Sequence, residues 1–209
     1  GAKRVLVSAP CEGSDKTIVF KVNHETLTAQ DLVVSNGSCT TNVLAPVAKV
    51  LNDLFGIERG YMTTVHAYTG DQPTLDTVHK DLYRARAAAL SMIPTSTGAA
   101  NAIGLVLPEL RGKLHGSSIR VPTPNVSVID LALAASRDVS IGEVNEAIQQ
   151  AADGAMRGVL AVTDEPLVSV DLTHRTESSI IALPQTDVVD GRLVRVLAWY
   201  DNEWSFATR

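Results

Sequence analysis

The second half of the chain is dominated by short apolar runs that turn-forming residues separate. Each run has the length and the branched or aromatic content that are typical of a strand. The runs span residues 117–121, 125–135, 159–163, 167–170, 178–183, 185–189 and 192–200. Asp190-Gly191 separates the last two runs and predicts a two-residue hairpin turn. Because few helical segments lie between these strands, the sequence predicts an α+β fold in which helices cover a mostly antiparallel or mixed sheet.

Three segments have helical patterns. Four apolar residues recur at the i, i+3, i+4, i+7 spacing of one helix face: Leu44, Val47, Ala48 and Leu51. Pro46 lies within this segment, so the pattern predicts either a bend or a late start of the helix. Residues 99–107 form a second pattern that stops at Pro108, and Ser140 with Glu143 predicts a capping box ahead of a third helix.

The first part of the chain contains four more predicted strands and one long polar segment. The strands span residues 3–9, 17–22, 32–34 and 57–66, and the polar segment spans 68–86. The chain starts directly in a strand, which is the pattern expected of a protein that has lost its beginning.

Composition excludes several classes of protein. Hydrophobic residues make up 45% of the chain and charged residues 20%, which argues against disorder. The formal net charge of −5 argues against a nucleic-acid partner, because phosphate binding needs clustered Lys and Arg. Neither a signal peptide nor a run of about 18 apolar residues occurs, so no membrane partner is expected. Only two cysteines occur, Cys11 and Cys39, and a reducing, cytoplasmic location is therefore predicted.

Cys39 is the first candidate for chemistry. It lies in the first turn of a predicted helix, where unpaired N–H groups and the helix dipole favour the thiolate, the nucleophilic form. The alternative is a small buried hydrophobe, which is the ordinary role of a single cysteine. Ser38 and the polar segment 40–42 argue against that alternative, because an apolar core leaves such groups unpaired. Cys11 lies in a loop rich in Gly, Ser and Asp and is interpreted as incidental.

His66 is the expected partner of Cys39, because a thiolate nucleophile usually has a histidine that is distant in sequence and close in space. It ends the strand at 57–66 and precedes a loop, a position where functional groups collect. The other four histidines lie in turns and are expected to be exposed. The alternative is that His66 is a structural residue, whose imidazole has its hydrogen bonds satisfied at the end of the strand.

Hydroxyls and arginines form a third candidate group, which suits the binding of an anion. Thr69 and Asp71 begin the polar segment, and Arg86 closes it. Residues 95–98, Thr-Ser-Thr-Gly, precede a helix, where hydroxyls and N–H groups suit a phosphate. Arg120 lies in an apolar strand and needs a counter-charge, either a carboxylate or a substrate phosphate. A structural salt bridge is the alternative explanation for each arginine.

Several familiar motifs are absent from the sequence. No G-x-G occurs, so the glycine fingerprint of a dinucleotide-binding fold is missing. No Walker loop, CxxC or HExxH pattern occurs either, and no metal site is expected.

Six segments resemble, in the same order along the chain, motifs of the phosphorylating glyceraldehyde-3-phosphate dehydrogenases. They are S-N-G-S-C-T-T-N at 35–42, H-A-Y-T-G-D-Q at 66–72, R-A-R-A at 84–87, P-T-S-T-G-A-A at 94–100, R-V-P-T-P-N-V-S at 120–127 and W-Y-D-N-E-W at 199–204. The resemblance covers the whole chain and is more specific than any one motif. It implies the oxidation of glyceraldehyde 3-phosphate to 1,3-bisphosphoglycerate, a step of glycolysis, with NAD and inorganic phosphate.

The resemblance also implies a role for each matching residue. Cys39 would form a thioester and His66 would act as general base. The substrate's own phosphate would lie against Thr69 and Arg120. Inorganic phosphate would lie among Ser38, Thr40, Thr97 and Gly98. Arg86 would lie between the two phosphates.

Cofactor and subunit contacts are implied by the same resemblance. Asn202 would hold the nicotinamide amide, and Ser8 would contact NAD from the first strand. A homotetramer is implied, partly through the loop between Thr69 and Pro94.

The chain departs from the family pattern in several places. Most of the dinucleotide-binding domain and the last helix have no counterpart. The resemblance therefore implies a remnant of an incomplete Rossmann-like domain at 1–38, a catalytic domain at 39–201 and the start of a return to the first domain at 202–209. Four sites differ from the usual residues: Lys21 for Gly, Gly37 for Ala, Val43 for Cys, and Ser205-Phe206 for Gly-Tyr. Of these differences, Lys21 fits the family pattern least well, because it adds bulk and charge where glycine is usual.

Two other functions stay open at this point. One is a sister dehydrogenase that uses erythrose 4-phosphate, which the segments 68–72 and 95–98 favour less. The other belongs to another class: a fragment that cannot bind NAD and acts as an interaction module or as part of a subunit interface.

Overall fold

A computed structural model describes all 209 residues and contains two sheets. The smaller sheet has three short parallel strands: β1 (Val5–Val7), β2 (Lys16–Thr17) and β3 (Val33–Ser35). Their order in the sheet is β1-β3-β2.

The larger sheet has eight strands and is mixed. Its strands are β4 (Ile57–Ala67), β5 (Ile93–Ser96), β6 (Leu114–Val121), β7 (Ser127–Ala135), β8 (Leu160–Thr163), β9 (Ser179–Ala182), β10 (Asp187–Val189) and β11 (Leu193–Tyr200). The order is β5-β6-β4-β7-β11-β9-β8, and β10 pairs with β11. Only β4 with β6 and β8 with β9 are parallel pairs. The predicted α+β fold with a mixed sheet is confirmed.

Four α-helices accompany the sheets: α1 (Cys39–Phe55), α2 (Ala99–Val106), α3 (Ile141–Asp153) and α4 (Trp204–Ala207). The Ser140 hydroxyl and the Glu143 carboxylate form the predicted capping box of α3. Helix α1 begins at Cys39 and continues through Pro46, so it does not start late. None of the helices combines the length and apolarity that crossing a membrane requires.

One large apolar core joins α1, α2 and α3 to the larger sheet. Buried residues alternate along β7 and β11, as expected of strands with one covered face. Leu131, Leu133 and Val194 are fully buried there. Among the first 38 residues only Val19 belongs to this core, so the smaller sheet shares little of it.

Three local predictions differ from the structure. Strand β2 stops at Thr17, because the Asn23 side chain accepts a hydrogen bond from the Val19 N–H at 2.8 Å and turns the chain. Residues Ser169–Leu172 form a 3-10 helix where a strand was expected, since the Asp171 carboxylate accepts from the Val168 N–H. Strand β5 has no counterpart among the predicted strands, and pairing with β6 creates it.

Two backbone conformations agree with the sequence argument. Asp190 and Gly191 have φ angles of 49° and 69° and form the turn expected between β10 and β11, but Val189 pairs with Leu193, so three residues and not two separate the paired strands. Lys21 has a φ of 62°, in the left-handed region that favours glycine.

Candidate active site

A cavity of about 470 Å³ lies between the smaller sheet and the first turn of α1. One wall consists of residues that follow β1 and β3, among them Cys11 and Gly37. The other wall carries Cys39, His66 at the end of β4, and Arg120 of β6. The two parallel strands β4 and β6 are in register at His66 and Arg120, so both side chains arrive at the same edge of the cavity.

The turn before α1 positions Cys39. Ser38 is the N-cap residue, and its hydroxyl accepts a hydrogen bond from the Thr41 N–H at 3.0 Å. The Asn42 amide donates to the backbone carbonyls of Asn36 at 2.7 Å and Ser38 at 3.0 Å. Gly37 has a φ of 68°, which a residue with a side chain rarely adopts. The polar residues around the cysteine therefore build the turn that points the sulfur into the cavity.

His66 contacts Cys39 directly. Its Nε2 atom lies 3.5 Å from the Cys39 sulfur, and the ring is almost fully buried. Its Nδ1 atom lies 2.7 Å from the Ala67 carbonyl oxygen and 2.7 Å from Nη1 of Arg120. With the proton on Nδ1, the ring donates to Ala67 and Nε2 can accept the thiol proton. With the proton on Nε2, Nδ1 accepts from Arg120, because a guanidinium only donates.

Burial reverses one expectation about the cysteine. It raises the pKa of the Cys39 thiol above its usual range, although the Thr40 hydroxyl, the Thr40 backbone N–H and the charge of Arg120 all favour the thiolate. Burial, followed by the charge of Arg120, lowers the pKa of His66 to about 4. Both shifts favour the neutral forms, a thiol beside an imidazole, and they run against the expectation that the start of the helix favours the thiolate.

Arg120 has no carboxylate partner. Its Nη1 donates to the Ala67 carbonyl oxygen at 3.1 Å, and its buried Nε has no hydrogen-bond partner. A buried guanidinium N–H without a partner is costly, so an anion in this cavity would satisfy it. Of the two explanations of this arginine, the geometry favours the ligand anion over the structural salt bridge.

Other expected anion-binding residues also line this cavity: Ser38, Thr40, Thr97 and Gly98. The Thr97 hydroxyl accepts from the Ala99 N–H at 3.2 Å, at the start of α2. These hydroxyls and the starts of α1 and α2 therefore line the same cavity as the Cys39 sulfur. The arrangement can bind an anion next to a nucleophile.

Four expected site residues lie elsewhere in this structure. Thr69 hydrogen-bonds to Gln72 and lines a neighbouring cavity of about 490 Å³ with Glu203. The Arg86 side chain is 65% exposed and pairs with Asp76. Ser8 is exposed. The buried Asn202 accepts a hydrogen bond from the Ser127 hydroxyl at 2.7 Å and donates to Glu203.

Three other residues contribute to the site and were not singled out by sequence reasoning. Arg84 pairs with Asp71, and both charges influence the pKa of Arg120. Sequence analysis assigned Arg86 of the R-A-R-A motif and not Arg84. Cys11, interpreted as incidental, faces the same cavity as Cys39. Tyr200, within the W-Y-D-N-E-W segment, is buried against His66.

Comparison with known proteins places the chain in a family. The model of the glyceraldehyde 3-phosphate dehydrogenase C-terminal domain matches residues 38–202. The chain belongs to this dehydrogenase family. It is 69% identical to the glyceraldehyde-3-phosphate dehydrogenases of Cereibacter sphaeroides and Xanthobacter flavus, and 57% identical to that of Zymomonas mobilis. All of this chain is covered in each comparison, but it spans only 62–63% of the length of those dehydrogenases. The family membership confirms the resemblance read from the six motifs.

Proposed function

We propose that the chain carries the catalytic residues of a phosphorylating glyceraldehyde-3-phosphate dehydrogenase of glycolysis. One observation carries the proposal: the Cys39 sulfur lies 3.5 Å from Nε2 of His66, in a cavity that Arg120 also lines. A nucleophile, a base and an unpaired guanidinium N–H are the groups that oxidation of a phosphorylated aldehyde through a thioester needs.

The first step is attack of the Cys39 sulfur on the aldehyde carbon of glyceraldehyde 3-phosphate. The thiol proton passes to Nε2 of His66 as the carbon–sulfur bond forms. Burial and the charge of Arg120 lower the pKa of His66 to about 4, so the imidazole is unprotonated at neutral pH and Nε2 has a lone pair that can accept the proton. The imidazolium of His66 then gives this proton to the former carbonyl oxygen, which completes a hemithioacetal on Cys39 and restores the neutral imidazole.

The second step converts the hemithioacetal to a thioester. His66 removes the hydroxyl proton while a hydride leaves the same carbon. NAD, when bound, accepts that hydride. Inorganic phosphate then attacks the thioester carbonyl, the carbon–sulfur bond breaks, and 1,3-bisphosphoglycerate leaves with Cys39 restored.

Two anion positions are proposed around the sulfur. Arg120 would bind the phosphate of the substrate, and its unpartnered Nε supports that role. Thr69 would contact the same phosphate. Inorganic phosphate would lie against Ser38, Thr40, Thr97 and Gly98, and Arg86 would reach both phosphates once it leaves Asp76.

The residues of this chain fit the nicotinamide end of NAD. The cavity lies at the carboxyl ends of the parallel strands β1 and β3, where open α/β sheets bind ligands. Ser8 directly follows β1. The Ser127 hydroxyl donates to Oδ1 of Asn202, so the Asn202 NH₂ group is the donor side; one of its two protons goes to Glu203, and the other is left for an amide oxygen. The assignment of 1–38 and 202–209 to a dinucleotide-binding domain is part of this proposal.

A homotetramer and a cytoplasmic location complete the proposal. The loop between Thr69 and Pro94 exposes large apolar side chains, which supports its burial against another subunit. They are Leu75, Val78, Leu82, Tyr83, Leu90 and Met92. Both cysteines are free thiols, which supports a reducing compartment.

The test uses the reverse of the phosphate step, because that step needs no cofactor. Incubation with 1,3-bisphosphoglycerate should transfer its acyl group to Cys39 and release phosphate, which intact-mass and peptide analysis detect. Cys11→Ser, the matched control, should be acylated normally, whereas Cys39→Ser should not. Acylation that is absent or equal at both cysteines would contradict the proposal.

Turnover in the forward direction separates the remaining alternatives. Reduction of NAD is followed with glyceraldehyde 3-phosphate and, in parallel, with erythrose 4-phosphate. Faster turnover of the triose supports the proposal, and faster turnover of erythrose 4-phosphate supports the sister enzyme. Acylation of Cys39 without turnover of either sugar identifies a fragment that cannot use NAD.

A further inference from the structure

A second large cavity lies on the face of the larger sheet that the helices leave open, and it has no role in the steps above. Its volume is about 650 Å³. Residues of β7 alternate between the two faces, so Leu131 and Leu133 belong to the core while Ala132 and Ala134 lie on the open face and line this cavity. The cavity is therefore on the opposite face of the sheet from α1, the helix that begins at Cys39.

The cavity is a groove because the middle strand carries two small side chains. Ala132 is in register with Tyr61 of β4, and Ala134 is in register with Leu193 of β11. Neighbouring strands lie about 4.8 Å apart, so the side chains of β4 and β11 stand about 10 Å apart across the alanines. Tyr61 is 51% exposed and Leu193 is 48% exposed, so both walls offer apolar surface. The groove thus has the width and the apolar floor that suit a planar ring.

Three cations stand at the edge of this groove: Arg59, Lys113 and Arg192. Lys113 is half-buried and has no carboxylate partner, because its Nζ donates only to the Ile57 carbonyl oxygen, at 2.9 Å. Arg59 makes no hydrogen bond, and the carboxylate of Glu58 lies 4.0 Å from its Nη1. Most of the N–H groups of these two side chains are therefore available to a ligand.

The acids near the groove are already paired. Asp138 accepts a hydrogen bond from Nε of Arg192 at 2.6 Å, and the terminal nitrogens of this arginine have no partner. Asp130, the next residue of β7 on the open face, accepts two hydrogen bonds from Arg195. No carboxylate lines the groove, although the formal net charge of the chain is −5. The groove is thus a local concentration of positive charge that attracts anions.

Charge also argues against a second copy of this chain as the occupant. A two-fold contact through the groove would bring the same three cations of both copies into one interface. Like charges that meet in this way are unfavourable. An anion instead relieves the repulsion among the three cations and gives their N–H groups an acceptor.

We propose that this groove binds a small planar anion, an aromatic ring that carries a phosphate, sulfate or carboxylate group. The ring lies on the alanine floor beside Tyr61, and the anionic group accepts hydrogen bonds from the cations at the edge. The site does not depend on the proposed dehydrogenase function, because none of the residues that line the groove lines the Cys39 cavity.

Equilibrium dialysis with 1-naphthyl phosphate tests the proposal. The measurement uses the chain with Arg120→Gln, so that an anion held beside Cys39 contributes little. One molecule should bind per chain, about 10-fold more tightly than either inorganic phosphate or 1-naphthol. Inorganic phosphate lacks the ring and 1-naphthol lacks the charge, so the two probes separate the contributions of the floor and the cations.

Substitutions in the groove locate the bound probe. Arg59→Gln and Lys113→Gln should each weaken binding about 3- to 10-fold, because each removes a charged donor. Ala134→Leu fills the floor and should weaken binding about 10-fold, whereas Ala134→Ser keeps the floor shallow and should bind normally. Lys49→Gln, which removes a lysine of α1, is the matched control and should also bind normally. Circular dichroism checks that each variant is folded.

Three results would overturn the proposal. Inorganic phosphate that binds as tightly as 1-naphthyl phosphate would indicate an adventitious ion only. Binding that is unchanged in Arg59→Gln and Ala134→Leu would place the probe elsewhere on the chain. The third result is absence of binding; if Ala134→Arg then dissociates an oligomer, a second copy of the chain is what covers the groove.

Discussion

The two walls of the cavity differ in how much buried apolar packing lies behind them. On the wall of α1, β4 and β6, the side chains behind the site belong to one large core, and Leu131 and Val196 are fully buried. On the wall that follows β1 and β3, Leu6 is 67% exposed and Leu32 is 52% exposed. The nucleophile, the base and Arg120 all belong to the first wall. The proposed catalytic residues are therefore held by the well-packed part of the protein, and the proposed cofactor side by the part with the least burial of its own.

The largest expected difference between the walls is in stability. Leu131→Ala removes a fully buried side chain and should lower the free energy of unfolding by about 2–5 kcal/mol. Leu6→Ala removes an exposed side chain and should change it by no more than about 0.5 kcal/mol. Urea denaturation followed by circular dichroism measures both. Similar losses in the two variants would mean that the smaller sheet is as tightly packed as the larger one.

The pH dependence of stability should reveal the lowered pKa of His66, which lies on the well-packed wall. Its pKa is about 4 in the folded chain and about 6.5 in an unfolded one. The unfolded chain binds the proton more tightly, so stability is complete above pH 6.5 and falls as pH decreases toward 4, by roughly 3 kcal/mol. Urea midpoints at several pH values measure the slope. In His66→Gln this part of the slope should disappear; its persistence would assign the effect to other groups.

The next largest effect is expected from Arg120, which is proposed to bind the phosphate of the substrate. Arg120→Gln should slow acylation of Cys39 by 1,3-bisphosphoglycerate about 10- to 100-fold relative to acetyl phosphate, because the charged donor to the remote phosphate is lost. Lys16→Gln, which removes a cation from the smaller sheet, is the control and should change neither rate. Equal slowing with both acyl phosphates would show that Arg120 acts on His66 and not on the phosphate.

The smallest effect is expected in the segment that connects β2 to β3 in the smaller sheet. Lys21 has a φ of 62°, and glycine adopts this conformation without steric cost. Lys21→Gly should therefore stabilise the chain by about 0.5–1 kcal/mol, although the contact of Nζ with the Arg157 carbonyl oxygen is lost. A thermal melt measures the change. A lower melting temperature would indicate that this contact outweighs the backbone strain.

Sequence reasoning selected Cys39 and His66, which the structure brings into contact, but it did not give the electrostatics of the pair. Cys39 and His66 could be selected because a polar turn before a helix and a histidine at a strand end are local patterns. The sign of the Cys39 pKa shift could not be predicted, since it depends on how much of the core closes over the sulfur. Similarly, Arg86 was selected from the motif R-A-R-A, and only the fold showed that Arg84 pairs with Asp71 and Arg86 with Asp76.

The sequence by itself determined the features that depend on neighbours a few residues apart. These include the capping box at Ser140 and Glu143, the Asp190-Gly191 turn and the alternation along β7 and β11. Local hydrogen bonds and side-chain periodicity are sufficient to specify them. Tertiary structure alone decided that β5 exists, that Arg120 meets His66, and that Tyr200 lies beside a threonine 160 positions away. Those outcomes depend on burial and on contacts between distant segments, which no local pattern contains.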